Sequence, residues 1–489
     1  MPLSIATSAL VGIRGAPVEV EVDVTTGIPA VRIVGLPDTA VGEARERIRS
    51  AIRASGFTWP ARRITVNLAP ADLRKSGGSF DLAIALGILA ASGQLQLQGR
   101  SIAAVGELAL DGRVRNVPGA LPLALPLAAR QAVHLLVPLE IVAELQGDGT
   151  GSISGVTSLS DAVAYLEGKR RAPLASADAV PIRPDLQHQS VSDRECELST
   201  IRGQPGATRA VLIAAVGRLP LLLEGPPGVG KSMLARALHG VLPDLTASEA
   251  SEVRAISSAA GLERGSGARP PLRMPHHDLT VAGLIGGGPR LAPGELTWAH
   301  RGLLILDEIG EFRRDTLEAL REPLERGVID LVRAGRSEQF PAATLLVATG
   351  NPCGCGELER SDGACLCTPA ARRRGSLSLS APIRDRFALR VRLARSHTPL
   401  SSLPRGGITT LEGRAAVARA RAALPLVASH GEKVDLRLLQ RLAAPMNDRL
   451  SGRGWGHLLN VAVICALLNG VESVGDVEMA EALHLTGRM

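Results

Sequence analysis

The stretch that decides the fold is Leu219-Pro-Leu-Leu-Leu-Glu-Gly-Pro-Pro-Gly-Val-Gly-Lys-Ser232, an apolar run that leads directly into the pattern G-x-x-x-x-G-K-[ST]. An apolar strand that precedes this pattern, and a helix that follows it, are typical of a phosphate-binding loop. The glycines let backbone N–H groups turn inward around phosphates, and the helix N-terminus adds positive potential. The alternative is a chance glycine-rich turn. We predict a loop that binds the phosphates of ATP.

Each position of this loop has a predicted role in nucleotide binding. Lys231 would reach the β and γ phosphates, and the Ser232 hydroxyl would ligate Mg²⁺. The residues predicted to bind the nucleotide and its metal are Gly225, Pro226, Pro227, Gly228, Val229, Gly230, Lys231, Ser232 and, from a second segment, Asp307.

That second segment is Gly302-Leu-Leu-Ile-Leu-Asp307-Glu308, an apolar strand that ends in two acids. Asp307 would hold the Mg²⁺ through water, and Glu308 would polarise the attacking water as general base. A third apolar strand runs from Thr344 to Thr349 and precedes Asn351, whose amide could orient the same water. The alternatives are an Asp-Glu pair that only caps a turn and a simple turn asparagine.

Around these motifs, strands alternate with helices, which predicts the α/β class with a parallel sheet covered by helices. Residues 1–167 contain short strand-like runs and one apolar helix and are expected to form a small α+β domain. Residues 168–192 are rich in Pro, Ala and charge and are the best linker candidate. The P-loop core would occupy residues 193–395, and a helical lid would occupy residues 396–489.

Length and composition narrow the class of protein. A chain of 489 residues is too long for one hydrophobic core. The formal charge of +7 favours an anionic partner. The N-terminus does not resemble a signal peptide, and the longest apolar run, Leu82 to Ala91, is too short to span a bilayer. We therefore expect a cytoplasmic protein without a membrane partner.

Four of the six cysteines lie close together, at Cys353, Cys355, Cys365 and Cys367. Two close thiolate pairs joined by a short loop fit a tetrahedral structural Zn²⁺ site in an insertion at residues 353–367. The C-x-C spacing is tighter than the usual C-x-x-C. Free buried thiols or a redox switch are the alternatives.

Residues 327–341, GVIDLVRAGRSEQFP, alternate on both sides of an Ala-Gly pair and predict a β-hairpin. Arg333 and Arg336 near its tip could track a DNA backbone, although an ordinary solvated hairpin is the alternative. Arg372-Arg-Arg374 is a second basic candidate. The His276-His277 pair is expected to be structural or to lie in a pore loop, because no carboxylate or cysteine accompanies it closely.

The motifs GPPGVGKSMLA, LILDEIGEF, LREPLERG and ATGNPCGC follow one another in an order that resembles the ComM/YifB family, the magnesium-chelatase-like AAA+ ATPases. The segments RMPHHDLTVAGLIGGG, NLAPADLRKSGGSFDL and VGELALDGRVRNVPGAL extend the resemblance over nearly the whole chain. The resemblance implies a homo-hexamer with ATP bound between subunits. It also implies that Arg386 is the arginine finger, with Arg384 as the alternative, and that Arg453 is a sensor arginine acting in cis or in trans. A surface arginine and a helix brace are the plainer alternatives for Arg386 and Arg453.

The N-terminal domain resembles the proteolytic domain of Lon, which has the S5 domain 2-like fold. Ser79 matches the nucleophile of Lon, but Leu121 stands where the Lon pattern has its lysine. A serine nucleophile needs a base, so a scaffold or a DNA-facing collar is the expected role.

These features together predict an ATP-driven DNA motor, a helicase or branch-migration factor in recombination or natural transformation. The first alternative is a chelatase-type ATPase that remodels a protein partner. A Lon-like protease is a distant third.

Overall fold

A computed structural model describes residues 3–36, 38–97, 99–145, 151–169, 196–261, 268–288, 291–333, 336–353, 365, 367–369, 379–395, 402, 407–428 and 451–487. The chain divides into two compact units. The first comprises Met1–His188 and Ser251–Gly267, and the second comprises Gln189–Ala250 and Ala268–Met489.

The first unit is built on a seven-stranded mixed sheet in the order β3-β4-β2-β1-β5-β8-β9. The strands of this sheet are β1 (Leu3–Val11), β2 (Arg14–Thr25), β3 (Ala30–Val34), β4 (Arg63–Ala69), β5 (Ser101–Ala104), β8 (Val133–Pro138) and β9 (Ser152–Val156). Strands β6 (Glu107–Leu108) and β7 (Val114–Arg115) pair with each other in a separate two-stranded sheet. The helices of this unit are α1 (Thr39–Ala54), α2 (Asp81–Ala91), α3 (Ala120–Ala128), α4 (Val142–Leu145) and α5 (Leu159–Leu166).

Helix α2 is the centre of this unit's core. Its residues from Asp81 to Leu89 are all buried, and they pack with the inward side chains of β2 and β4. Strands β2 and β4 alternate between buried and more exposed positions, as expected where one sheet face is covered. The predicted apolar helix therefore forms where the sequence indicated.

The second unit contains a five-stranded sheet whose order is β11-β14-β17-β10-β18. Its strands, with two hairpins, are β10 (Leu221–Glu224), β11 (Leu272–Arg273), β12 (Gly286–Gly287), β13 (Ala292–Pro293), β14 (Leu303–Leu306), β15 (Val328–Arg333), β16 (Arg336–Pro341), β17 (Leu345–Gly350) and β18 (Leu389–Arg392). Its helices are α6 (Pro205–Gly217), α7 (Lys231–Val241), α9 (Val281–Ile285), α10 (Glu295–Trp298), α11 (Arg314–Glu318), α12 (Arg321–Arg326), α13 (Ala381–Arg384), α14 (Thr410–Ala428), α15 (Gly452–Asn469) and α16 (Asp476–Leu485). Helix α8 (Ala247–Ala259) begins in this unit, and its residues from Ser251 onward are assigned to the first.

All neighbouring strands of this sheet are parallel. The central strands β10, β14 and β17 are almost wholly buried and apolar, as in a sheet covered on both faces. Parallel strands bring their carboxyl ends to one edge, so the residues that follow these three strands meet there. The predicted α/β fold with a parallel sheet, consistent with an AAA+ P-loop core, is confirmed.

Residues of α14, α15 and α16 join the same apolar core as α6 and α7. These three helices fall within residues 396–489, where the sequence predicts a helical lid, and residues 429–450 of that range lie outside the described residues. Among the helices that the structure describes, none is long and apolar enough to cross a membrane.

Candidate active site

The phosphate-binding loop connects β10 to α7 and depends on glycine at several positions. Gly228 and Gly230 have φ values of +80° and +96°, which side chains rarely adopt. A Cβ on Gly225 would lie 2.5 Å from the Leu393 carbonyl oxygen. The backbone path therefore requires glycine at positions 225 and 230 of the pattern, and also at position 228.

Lys231 begins α7, and its ammonium group is held in the loop. Its Nζ donates to the carbonyl oxygens of Gly225 at 2.7 Å and Pro226 at 2.9 Å, and to Asn351 Oδ1 at 2.9 Å. Burial lowers the pKa of Lys231, while the charges of Asp307 and Glu308 oppose this shift. The amine of the loop and the amide predicted to orient water are thus in direct contact.

Ser232 lies at the start of α7, Asp307 directly follows β14, and their side chains are in contact. The Ser232 hydroxyl donates to the Asp307 carboxylate at 2.9 and 3.1 Å. A hydroxyl and a carboxylate are oxygen ligands of the kind that Mg²⁺ prefers, and here they lie close enough to share one ion. These residues therefore fit the metal that the sequence predicts.

Thr349 organises both acids, and the sequence reasoning missed it. Its hydroxyl donates to Asp307 Oδ1 at 2.5 Å and accepts a hydrogen bond from the Glu308 backbone N–H at 3.0 Å. Glu308 has a left-handed backbone with φ of +53°, an unusual conformation for glutamate. A buried threonine at the end of a strand, two residues before the predicted sensor Asn351, is the signal that could have identified it.

These groups line one cavity of about 310 Å³, the size of a small-ligand site. Its lining includes Gly228, Lys231, Ser232, Asp307, Glu308 and Asn351. The structure therefore brings together residues from the ends of β10, β14 and β17, and the first and last of them, Lys231 and Asn351, are 120 positions apart in the sequence.

The two predicted arginines lie elsewhere in the second unit. Within the described part of the chain, the lining of this cavity includes neither Arg386 nor Arg453. Both donate to Glu325, Arg386 at 2.7 Å and Arg453 at 2.7 Å. Arg384, the alternative finger, donates to the Leu379 carbonyl oxygen at 3.0 Å.

Three of the four clustered cysteines converge. The sulfur atoms of Cys353, Cys365 and Cys367 all lie within 4.8 Å of one another, and Cys353 is buried. The Sγ atoms of Cys353 and Cys365 are 3.7 Å apart. Cys355 lies outside the described residues.

The hairpin predicted at residues 327–341 is present, with β15 pairing antiparallel to β16 and Arg333 opposite Arg336. Arg333 is exposed, and its neighbour Val332 is 74% exposed. The side chain of Arg336 and the whole of Arg372-Arg-Arg374 lie outside the described part of the chain. A role in DNA contact stays a prediction.

The interpretation of His276 and His277 overlooked a neighbour. Asp278 directly follows them, with Oδ2 at 3.2 Å from His276 Nδ1 and Oδ1 at 3.8 Å from His277 Nε2. The expectation that no carboxylate accompanies the pair is therefore wrong. All three residues lie on one turn, and their side chains are partly or largely exposed.

Comparison with known proteins gives concordant matches. The family described as magnesium chelatase, subunit ChlI, matches residues 197–399, and a second model, subunit ChlI of Mg-chelatase, matches residues 20–141. YifB of Escherichia coli is 42% identical over 80% of this chain and 75% of its own length. Rv2897c of Mycobacterium tuberculosis is 39% identical over 97% of this chain and 96% of its own. The competence protein ComM of Haemophilus influenzae is 36% identical over 99% and 97%.

Proposed function

Since this chain belongs to the ComM/YifB family of magnesium-chelatase-like AAA+ ATPases, we propose that it is a ring motor that hydrolyses ATP to move DNA. In this proposal it acts in the cytoplasm as a helicase or branch-migration factor in recombination or natural transformation. The name of the competence protein ComM, to which the chain is similar over nearly its full length, supports the choice of DNA as substrate.

The observation that carries the ATPase part is the convergence of Lys231, Ser232, Asp307, Glu308 and Asn351 on one cavity. Lys231 would bind the β and γ phosphates, and Ser232 and Asp307 would hold Mg²⁺, which neutralises charge on the phosphates when bound. Glu308 would accept a proton from the attacking water.

The homo-hexamer follows from the same proposal. Arg386 would stabilise charge on the γ phosphate of the neighbouring subunit, a contribution of about 10³ to 10⁵ in rate in related enzymes. Its position away from the cavity of its own subunit supports an action in trans. Arg453 binds the same carboxylate as Arg386, which favours the same direction of action for both arginines.

The DNA contact would be made by the β15–β16 hairpin. Arg333 is exposed there, opposite Arg336 in the strand pairing, and the chain has a formal charge of +7. An exposed arginine on a hairpin can contact a phosphate backbone without reading sequence.

We further propose a structural Zn²⁺ held by Cys353, Cys355, Cys365 and Cys367. Two thiolates bound about 2.3 Å from one tetrahedral zinc lie roughly 3.8 Å apart, and the Cys353–Cys365 sulfur separation of 3.7 Å fits this. The metal would stiffen the loop after Asn351. Zinc analysis of purified protein tests this: about one zinc per chain is expected, and substantially less in Cys353→Ser.

The Lon-protease-like N-terminal domain and the helical lid complete the proposed architecture. With Leu121 buried in an apolar core where Lon has its lysine, the first unit would act as a scaffold or collar. The lid would correspond to α14, α15 and α16.

A chelatase-type ATPase that remodels a protein partner is the second candidate. The match of residues 197–399 to the family of magnesium chelatase subunit ChlI favours it. Under this candidate, hydrolysis would respond to a protein client and not to DNA.

A strand-displacement assay on forked DNA separates the two candidates. We expect ATP-dependent displacement that is lost in Arg333→Ala and retained in Arg419→Ala, an exposed arginine on α14 that serves as the matched control. Loss of one phosphate contact should also make the plot of log binding constant against log salt concentration less steep, by about one unit of slope. Displacement that is absent, or unaffected by Arg333→Ala, contradicts the hairpin proposal.

A further inference from the structure

Glu325 lies in helix α12, and it is the common partner of two arginines that are distant in sequence. Its Oε2 accepts from Arg386 Nη2 at 2.7 Å, and its Oε1 accepts from Arg453 Nη2 at 2.7 Å. Each carboxylate oxygen therefore serves one guanidinium. The three residues come from α12, from the segment after α13 and from the start of α15.

This arrangement differs from the other ion pairs of the same helix region. Arg326 pairs with Glu322, four positions before it, and Arg321 pairs with Glu318, three positions before it. Such local surface pairs contribute little. Glu325 instead joins two separate segments of the fold, and the side chain of Arg386 is only 11% exposed.

A second contact ties the two arginine segments together. Asp385 accepts a hydrogen bond from the Ser451 hydroxyl at 3.3 Å, and it lies 3.9 Å from Arg453 Nη1. Ser451 is also the N-cap of α15, because its hydroxyl accepts from the Gly454 backbone N–H at 3.1 Å. The segment that carries Asp385 and Arg386 is therefore in contact with the first turn of α15.

Two guanidinium groups repel each other unless an anion lies between them. The hydrogen bond from Arg386, supported by the charges of both arginines, lowers the pKa of Glu325, so its carboxylate stays ionised at neutral pH. A guanidinium has five N–H donors, and one bond to Glu325 leaves donors of each arginine for a second anion. A phosphate of ATP is such an anion.

We propose that Glu325 is a positioning residue that holds Arg386 and Arg453 as one unit, so that both reach the ATP of the neighbouring subunit together. The inference rests on the proposed ring ATPase. Glu325 itself does not touch the nucleotide in this account. Its charge sets the spacing and direction of the two arginines.

The first test is steady-state ATP hydrolysis by Glu325→Gln, which keeps the shape of the side chain and removes its charge. A misplacement of about 1 Å can cost about 100-fold in rate, so we expect kcat to fall by roughly 10- to 100-fold with little change in KM. Glu325→Asp should recover part of the loss. Glu322→Gln, in the same helix, is the matched control and should hydrolyse ATP like the wild type.

The second test mixes an inactive variant with an impaired one. Lys231→Ala subunits cannot hydrolyse ATP but carry intact arginines, whereas Glu325→Gln subunits have intact nucleotide cavities. Mixed rings should recover hydrolysis, because a Glu325→Gln cavity then receives arginines from a Lys231→Ala neighbour. A mixture of Lys231→Ala with Arg386→Ala is the positive control for this exchange.

The outcomes separate the inference from the proposal on which it rests. No Lys231-dependent hydrolysis by the wild type, or no recovery in the positive control, contradicts the ring ATPase. If both behave as expected, wild-type hydrolysis by Glu325→Gln overturns the positioning role. Failure of the Glu325→Gln mixture to recover, beside a working positive control, overturns it as well.

Discussion

Each compact unit contains a glycine-rich loop with a buried lysine and a serine, and the two loops differ in what surrounds the lysine. In the second unit, Lys231 lies in a cavity with Asp307 and Glu308. In the first unit, Lys75 is fully buried, and its Nζ donates to the Pro70 carbonyl oxygen.

The acids near the two loops are also held differently. Asp307 accepts hydrogen bonds from the hydroxyls of Ser232 and Thr349. Asp81, two residues after Ser79, is fully buried and is bound by Arg47 at 2.9 Å. The comparison teaches that lysine, serine and glycine in one loop do not make a reactive site. In the second unit, the neighbouring strands also supply a cavity that is lined by Asp307 and Glu308.

Among variants of the two loops and their acids, the largest loss of ATP hydrolysis is expected at Glu308. Glu308→Gln removes the proposed general base while keeping a side chain of the same size, so kcat for ATP should fall by about 10² to 10⁴. ATP affinity, measured by equilibrium binding of a fluorescent analogue, should change little. Unaltered hydrolysis by this variant would remove Glu308 from the mechanism.

A smaller loss is expected at Thr349. Thr349→Val keeps the shape but leaves the Glu308 N–H without its acceptor, at a cost of about 1–3 kcal/mol for the unpaired group. It also removes one of the two hydroxyls that donate to Asp307. We expect roughly a 10-fold lower kcat, together with a weaker response to Mg²⁺ titration. Thr344→Val, at the residue directly before the same strand, is the control. Equal behaviour of the two variants would contradict the role given to Thr349.

In the first unit, the expected effect is on stability and its pH dependence. Burial raises the pKa of Asp81 from 3.8 to about 6, against the opposing effect of Arg47. Between these values the native state keeps a proton that the unfolded chain has released, so this group's contribution to stability falls as pH rises from about 4 to about 6. At about 1.4 kcal/mol per pKa unit, the difference is of order 1–3 kcal/mol.

Urea unfolding at pH 4 and pH 7 measures this contribution by comparing the wild type with Asp81→Asn. The wild type should lose more stability than the variant as the pH rises. Asp23→Asn, at an exposed position of the same unit, should follow the wild type. A gap between wild type and Asp81→Asn that is the same at both pH values would contradict the prediction.

The smallest effect is expected at Ser79. Its side chain is buried, and no step of the proposed ATP hydrolysis uses it. Ser79→Ala should therefore leave ATP hydrolysis unchanged, and neither form should cleave casein. Casein cleavage that disappears in Ser79→Ala would restore the protease alternative.

The sequence predicted the parallel sheet and the nucleotide motifs well because these depend on short, local patterns. An apolar strand fixes where its last residue lies, so the strand pattern alone places Lys231, Asp307 and Asn351 at one edge of the sheet. Thr349 was missed because its role depends on contacts with Asp307 and Glu308, 42 and 41 positions away.

Glu325 is a second residue whose contacts could not be predicted from the local sequence. The motif LREPLERG was visible, but nothing local distinguishes Glu325 from Glu322 in it. Only the folded chain shows that one glutamate pairs within its helix, whereas the other binds arginines 61 and 128 positions away. The carboxylate beside His276 and His277 was missed although Asp278 is adjacent in the sequence.

The most direct test of the account is ATP hydrolysis by the purified protein, with and without forked and single-stranded DNA, using Lys231→Ala as the blank. We predict Lys231-dependent hydrolysis that DNA stimulates strongly and that loses this stimulation as salt rises, because phosphate contacts are salt-sensitive. Hydrolysis that depends on Lys231 but is indifferent to every DNA tested would contradict the DNA motor and favour a protein client.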